Sequence, residues 1–256
     1  MFGICNLSSA ALRAEESNLS EMVSQVLFGE TFKIIEIHQE FTKIELSFDN
    51  YQGFIDNKQY QQIPLEIYEK INADKQYLSA GIIDFITDKN NGLTTIPLGA
   101  NLPFFKNKAL QINSTNYLYE GAHTSEKKSK KEIIKAAFNY LNTPFLLGGK
   151  TPFGIDSDGF TQMVYKLCGH SLLREAQQQA TQGEVLSFIE ESEPGDLAFF
   201  DNDKGEIIHV GIILNEYHII HCYGKVRVDT LDHSGIYNAD LQKHTHKLRI
   251  IKRIIG

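Results

Sequence analysis

The chain has 256 residues, 42% of them hydrophobic, 22% charged and 11% aromatic, with 3 cysteines, no tryptophan and a formal net charge of -7. That apolar fraction supports a buried core, which excludes a disordered or collagen-like chain, and the acidic balance repels phosphate backbones, so neither nucleic acid nor an anionic membrane is expected as a partner. No apolar run approaches the ~18 residues of a membrane span. The opening residues Met1 to Ser8 lack the basic and long apolar regions of a secretory leader, and Cys5, Cys168 and Cys222 are too few and too scattered for a disulfide framework or a zinc ribbon. A cytoplasmic setting is the expectation.

In chain order, short β-branched or alternating runs at residues 22–28, 31–37, 41–46 and 51–55 predict a small β-barrel over 1–63. Strand-like runs at 82–86, 93–96 and 117–119, with the turn sequence Asp88-Lys89-Asn90-Asn91-Gly92 between the first two, predict a second small β module over 64–122. A polar, lysine-rich stretch at 123–132 then reads as a linker entering an amphipathic helix on Ile133, Ile134, Ala137, Phe138 and Leu141, its lysines being a solvated face. Ser129 and Glu132 are spaced as a capping box, and Asn142-Thr143-Pro144 should end the helix. A second helix is predicted over 157–167, stopped by Gly169. Strands at 197–200, 209–214, 218–223, 226–228 and 248–254 complete an α+β domain over 123–256.

The segment Gly148-Gly149-Lys150-Thr151 superficially resembles the end of a phosphate-binding loop, but Pro144 holds the place of its first glycine and a helix, not a strand, leads in. Nucleotide binding is not expected. His209 opens one strand and His221 lies in the next, so a hairpin could bring the two together as a functional pair or simply as satisfied core histidines. No acidic or thiol ligand stands at characteristic spacing around them, so neither a metal site nor any cofactor is expected.

The run from Leu141 to Gln162, with Pro144-Phe145-Leu146-Leu147-Gly148-Gly149 and Gly154-Ile155-Asp156-Ser157-Asp158-Gly159-Phe160, resembles the catalytic segment of the NlpC family of papain-like peptidases, which cut murein peptides. Two further blocks follow in family order, Pro194-Gly195-Asp196-Leu197 leading to His209-Val210-Gly211-Ile212, and Ile219-Ile220-His221. The resemblance implies a papain-like NlpC domain preceded by SH3-like barrels, of the type that trims L-Ala-γ-D-Glu-diaminopimelate, with Tyr51-Gln52-Gly53-Phe54-Ile55-Asp56 as a closing barrel strand. It places Ser157, His209 and His221 at the positions of the nucleophilic cysteine, the base and the residue that orients the base. Phe145, Asp156, Asp158, Arg174 and Glu175 fall at substrate-binding positions.

The sequence departs from the family at the nucleophile itself. A cysteine at a helix N-terminus beside an imidazolium becomes a thiolate, whereas a serine hydroxyl cannot be ionised that way. Phe145 replaces the tyrosine credited with holding the oxyanion, a donor whose loss costs on the order of 10² to 10³ in rate. Leu147 replaces a tryptophan, Asp158 a small serine, and Arg174-Glu175 the usual Arg-Asp pair. An engineered trap would change one position only. Asp158 is well placed for the helix dipole and would compete for the field that a nucleophile needs. Cys168 lies about three turns along the helix, ~16 Å from Ser157, and alternation turns Cys222 away from His221, so neither replaces the missing thiol.

The expected protein is therefore a degenerate NlpC domain that binds a murein-derived peptide or a partner protein without turnover. The alternatives are an active endopeptidase using Ser157, His209 and His221, or a scaffold acting through the barrels.

Overall fold

The computed structural model describes residues 1–256, which divide into two compact units. One comprises Met1–Glu126 and Leu147–Pro152, the other Lys127–Leu146 and Phe153–Gly256.

In the first unit, strands β1 (Phe2–Ile4), β2 (Ser9–Arg13), β3 (Met22–Leu27), β4 (Thr31–Ile37), β5 (Phe41–Leu46), β6 (Gln52–Asp56) and β7 (Gln61–Ile63) form an antiparallel sheet in the order β3-β2-β6-β5-β4-β1-β7. Period-two alternation sends Ala10, Leu12, Phe32, Ile34, Ile44 and Leu46 to one interior, where they meet Val26 and Ile55. Register shifts at Leu12/Arg13 and Ile34/Glu36 bend the strands. The segment expected to close the barrel, β6, lies inside the sheet between β2 and β5.

Helix α1 (Leu65–Ala73), absent from the sequence reading, leads to β8 (Leu78–Ser79), β9 (Ile83–Asp88), β10 (Leu93–Pro97), β11 (Ala109–Ile112), β12 (Thr115–Tyr119) and β13 (His123–Thr124). Four of these make a second sheet, β10-β9-β12-β11, and β13 pairs with β8. Ile86, Ile96, Leu110, Ile112 and Tyr119 share one apolar cluster with Ile4, Phe28 and Ile63 of the first sheet and Ile71 of α1. Each small sheet thus completes the other's buried face.

The detached piece of this unit carries β14 (Lys150–Thr151). Lys150 is fully buried, its ammonium 3.3 Å from the Glu30 carboxylate, and its backbone N–H donates to Gln25 Oε1 at 2.7 Å. Gly148 has φ +76°, and a Cβ there would stand 2.1 Å from the Met22 carbonyl oxygen. Only glycine fits that approach. The lysine that superficially suggested phosphate binding is spent on Glu30.

The second unit holds α2 (Lys130–Phe138), β15 (Gly154–Ile155), α3 (Ser157–Leu167), α4 (Ala176–Gln179), β16 (Glu184–Leu186), β17 (Leu197–Asp201), β18 (Ile207–Asn215), β19 (His218–Tyr223), β20 (Lys225–Asp232), β21 (Gly235–Asn238) and β22 (Lys243–Arg253). β22 pairs with both β17 and β21, so β17 to β22 close into a six-stranded antiparallel barrel, with β16 added outside β22. Ala198, Phe200, Ile213, Ile219, Leu231, Ile236 and Ile251 form one of its apolar clusters. Helix α3 packs on β18 and β19, with α2 against it.

Two local expectations are corrected. Ser129 stands at the start of α2 but its side chain makes no cap bond, and Glu132 pairs instead with Lys135 at 2.6 Å. The helix also ends at Phe138, before the proline signal, because Asn142 takes φ +68° and sends its N–H to the Val226 carbonyl.

Candidate active site

Asp156 begins the site. Its backbone is extended, with φ -95° and ψ 177°, and its carboxylate accepts the Gly159 N–H at 2.6 Å, which caps α3. Arg174 grips the same carboxylate with two nitrogens, at 3.1 and 2.6 Å, and both side chains are buried. These two predicted substrate contacts are therefore engaged with each other, fixing the point where the chain turns into α3. Glu175 is exposed and opens α4 through a capping box with Gln178.

Ser157 follows at the first helical position and is buried. Its hydroxyl donates to Asp158 Oδ1 at 2.5 Å, and Asp158 Oδ2 accepts the Ala176 N–H at 2.8 Å. Gln179 ties the same turn down, donating to the Asp158 carbonyl at 3.0 Å and accepting from Thr161 Oγ1 at 2.7 Å. Burial and the neighbouring Asp156 charge push the Asp158 carboxyl up to about 6, against the Ser157 hydrogen bond and the Arg174 charge.

The barrel supplies the histidines. His209 on β18 and His221 on β19 meet at 2.8 Å between Nε2 and Nδ1, and His221 Nε2 lies 3.0 Å from Asp229 Oδ2 on β20. Arg227 holds Asp229 through its Nη2, 2.8 Å from Oδ1, and its Nε, 2.7 Å from Oδ2. Alternation puts His209 on the face of Ile213, His221 on that of Ile219 and Asp229 on that of Leu231, three residues of one apolar cluster. Gly211 stands opposite His221, and a Cβ there would come within 2.9 Å of the His221 Cβ. His246 on β22 stacks on His209, with ring centres 4.1 Å apart and planes at 25°.

Burial holds the His209 imidazole well below its usual range, helped by His221 and His246. Burial also lowers His221, opposed by Asp229, and takes His246 down to about 4. Burial alone would raise Asp229, but the hydrogen bonds from His221 and Arg227 outweigh it and keep the carboxylate below its usual value.

One ring nitrogen from each of His209, His221 and His246 lies within 4.8 Å of the others. As arranged, His209 and His221 share a hydrogen bond and His246 stacks on His209, which is not the geometry of a ligand set. A metal must lie in the plane of each imidazole it binds, and the stacked planes of His209 and His246 do not converge at coordination distance. The 2.8 Å gap between His209 and His221 matches a shared hydrogen, whereas two ligands on a tetrahedral zinc with bonds of about 2.0 Å stand roughly 3.3 Å apart.

Phe145 donates its backbone N–H to the Gly224 carbonyl at 3.0 Å and leaves its ring half-exposed. Cys168 ends α3, at the opposite terminus from Ser157, and burial pushes its thiol up to about 11. Cys222 donates its thiol to the Ile155 carbonyl at 3.2 Å, nearer the loop before Ser157 than alternation alone suggests, and burial pushes it up to about 12. A thiol held that high is not a nucleophile.

Sequence reasoning missed Asp229 and His246. Asp229 had a legible signal, since a short hairpin pairs His221 with Arg227 and places residue 229 on the diagonal. His246 had none, because only closure of the barrel brings β22 beside β17.

Comparison with known proteins agrees with this architecture. Residues 142–247 match the NlpC/P60 family and residues 12–59 match the bacterial dipeptidyl-peptidase SH3 domain. The gamma-D-glutamyl-L-lysine dipeptidyl-peptidase of Bacillus subtilis (strain 168) is 33% identical over 100 residues, 38% of this chain and only a third (33%) of that protein's length. Dipeptidyl-peptidase 6 of Lysinibacillus sphaericus is 23% identical over 265 residues, covering 91% of this chain and 93% of the relative. The crystal structure of an NlpC/P60 family protein from Bacillus cereus ATCC 10987 superposes with a TM-score of 0.84 over 100% of both chains, at 16% identity. The capped helix, the closed barrel with its histidine pair and these matches lead to one assignment: the chain carries an NlpC/P60 family domain behind a bacterial SH3 domain.

Proposed function

We propose that the NlpC/P60 domain of this chain binds a murein-derived peptide of the L-Ala-γ-D-Glu-diaminopimelate type, or a partner protein, without hydrolysing it. The observation that carries the reading is the Ser157 hydroxyl, whose hydrogen points to Asp158 and not to His209. A nucleophile must lose that proton to a base as it attacks. Asp158 is itself anchored by the Ala176 amide, so the hydroxyl is held where the histidine does not receive its hydrogen. Phe145 carries no hydroxyl to meet an oxyanion. The ligand class is supported by the relatives, which are named as dipeptidyl-peptidases for γ-D-glutamyl-L-lysine peptides.

A second reading is favoured by the complete His209 and His221 pair. If Ser157 turns its hydroxyl toward His209 when a peptide is bound, the domain is a slow serine hydrolase. Calorimetry with L-Ala-γ-D-Glu-diaminopimelate, followed by chromatography of the mixture, separates the two. The binding reading expects heat of binding and no L-Ala-D-Glu above the level of a Ser157→Ala variant. Release of that dipeptide by the unmodified protein alone overturns it, as does an absence of heat with both peptide and partner candidates.

A further inference from the structure

We infer that Asp229 is a positioning residue that, through His221, fixes His209 in a single tautomer, with its hydrogen on Nε2 and a free lone pair on Nδ1. The argument follows from which atoms can donate. Asp229 is an ionised carboxylate gripped by the Arg227 guanidinium, so it can only accept. His221 Nε2, 3.0 Å away, must therefore carry a hydrogen. A neutral imidazole holds one ring hydrogen, which leaves His221 Nδ1 as an acceptor. His209 Nε2, 2.8 Å from that atom, must then donate to it, and His209 Nδ1 is left bare. The chain of assignments starts at Arg227, which has no acceptor, and admits one solution.

Three features keep the hydrogen-bond chain in register. His221 and Asp229 are buried almost completely, so water does not compete for their hydrogen bonds. Gly211 clears the space that lets His221 lie against β18. His246 stacks on His209 and holds its ring plane, without taking part in the hydrogen-bond chain. Asp229 thus decides at two removes whether the first imidazole presents an acceptor or a donor. A bare Nδ1 accepts a hydrogen from a hydroxyl, a thiol or an amide N–H. The inference holds whether or not Ser157 turns over a peptide.

Removing the carboxylate should release every step. In Asp229→Ala no acceptor faces His221 Nε2, so that atom no longer has to carry the hydrogen, His221 takes either tautomer, and His209 Nε2 donates or accepts accordingly. The test is long-range ¹H–¹⁵N correlation on ¹⁵N-labelled full-length protein at pH 8, which distinguishes the two tautomers by their ring couplings, with His209→Gln used to assign the signal. The unmodified protein should show His209 with its hydrogen on Nε2, Asp229→Ala should show a mixture of the Nε2 and Nδ1 forms, and His246→Phe should leave it unchanged. An unmodified protein with the His209 hydrogen on Nδ1 overturns the inference even if Asp229→Ala fails to fold. A folded Asp229→Ala with His209 still wholly in the Nε2 form overturns it as well.

Discussion

Ser157 and Asp158, adjacent in the first turn of α3, are joined side chain to side chain by a 2.5 Å hydrogen bond from hydroxyl to carboxylate. The pair occupies the amide-rich end of a helix, a place that stabilises one anion well. Here Asp156 takes that charge as the cap of α3, while the Asp158 carboxyl, pushed up to about 6 by burial and by Asp156, holds the hydroxyl.

The first prediction concerns a thiol placed at this position. In Ser157→Cys the neighbouring carboxylate should oppose thiolate formation, and removing it in Ser157→Cys with Asp158→Ser should lower the thiol pKa by about 1 to 2 units. The pH dependence of alkylation by iodoacetamide reads this directly, since the native thiols are buried. Equal reactivity of the two variants across pH would show that Asp158 does not control the field at the helix start.

The second concerns the cap of α3. Asp156→Ala removes the bond to Gly159 and leaves Arg174 as a buried charge without its main counterion. Breaking a buried pair costs about 3–5 kcal/mol, and the cap adds about 1 kcal/mol. Urea unfolding should show a loss of that order, with Asp156→Asn together with Arg174→Met losing much less. A loss below about 1 kcal/mol in the single variant would mean that the pair does not hold the helix start.

Stability should also depend on pH in a definite direction. His209, His221 and His246 are depressed in the fold, His246 to about 4, so between about 6.5 and those values the unfolded chain takes up protons that the folded one refuses. Their contribution is present above about pH 6.5 and is lost as pH falls, with a slope of roughly 1.4 kcal/mol per pH unit for each histidine. Asp158, raised to about 6, works the other way over the same range, because its folded form takes a proton first. Three histidines against one carboxyl give a net loss. Urea midpoints should fall from pH 7 to pH 5, and His246→Phe should flatten the slope. A midpoint that rises toward pH 5 would contradict neutral, buried histidines.

In the first unit, Lys150 and Glu30 make an equally buried pair. Lys150→Met should destabilise by about 3–5 kcal/mol, and adding Glu30→Gln should recover part of that loss, because the lasting cost is an uncompensated charge and not a missing bond. Thermal unfolding of the full chain measures both. A double variant less stable than Lys150→Met alone would sink this account.

Local patterns made much of the fold legible. The limits of α3, Ser157–Leu167, and of β4, β5 and β19 match the runs read from alternation and periodicity. Such patterns report a burial that repeats along one element, and they weaken at ends, where single contacts decide. α2 stops at Phe138 because Val226, far along the chain, accepts the Asn142 N–H. Helix α1 escaped because its only fully buried residue is Ile71, too little for a periodic signal.

The sequence by itself determined the residue types at the site: a serine where the family resemblance leads one to expect a cysteine, an aspartate beside it, a phenylalanine without a hydroxyl, and two histidines on neighbouring strands. Tertiary structure decided what those groups do to one another. Asp156 and Arg174, eighteen positions apart, proved to be each other's partners, and Asp229 and His246 entered the site only because strands distant in sequence close into a barrel. The physical reason is that hydrogen bonds are directional and short-ranged. A sequence can show that a donor and an acceptor exist, but which pair lies within 3 Å is fixed by packing, and that pairing sets where each proton resides.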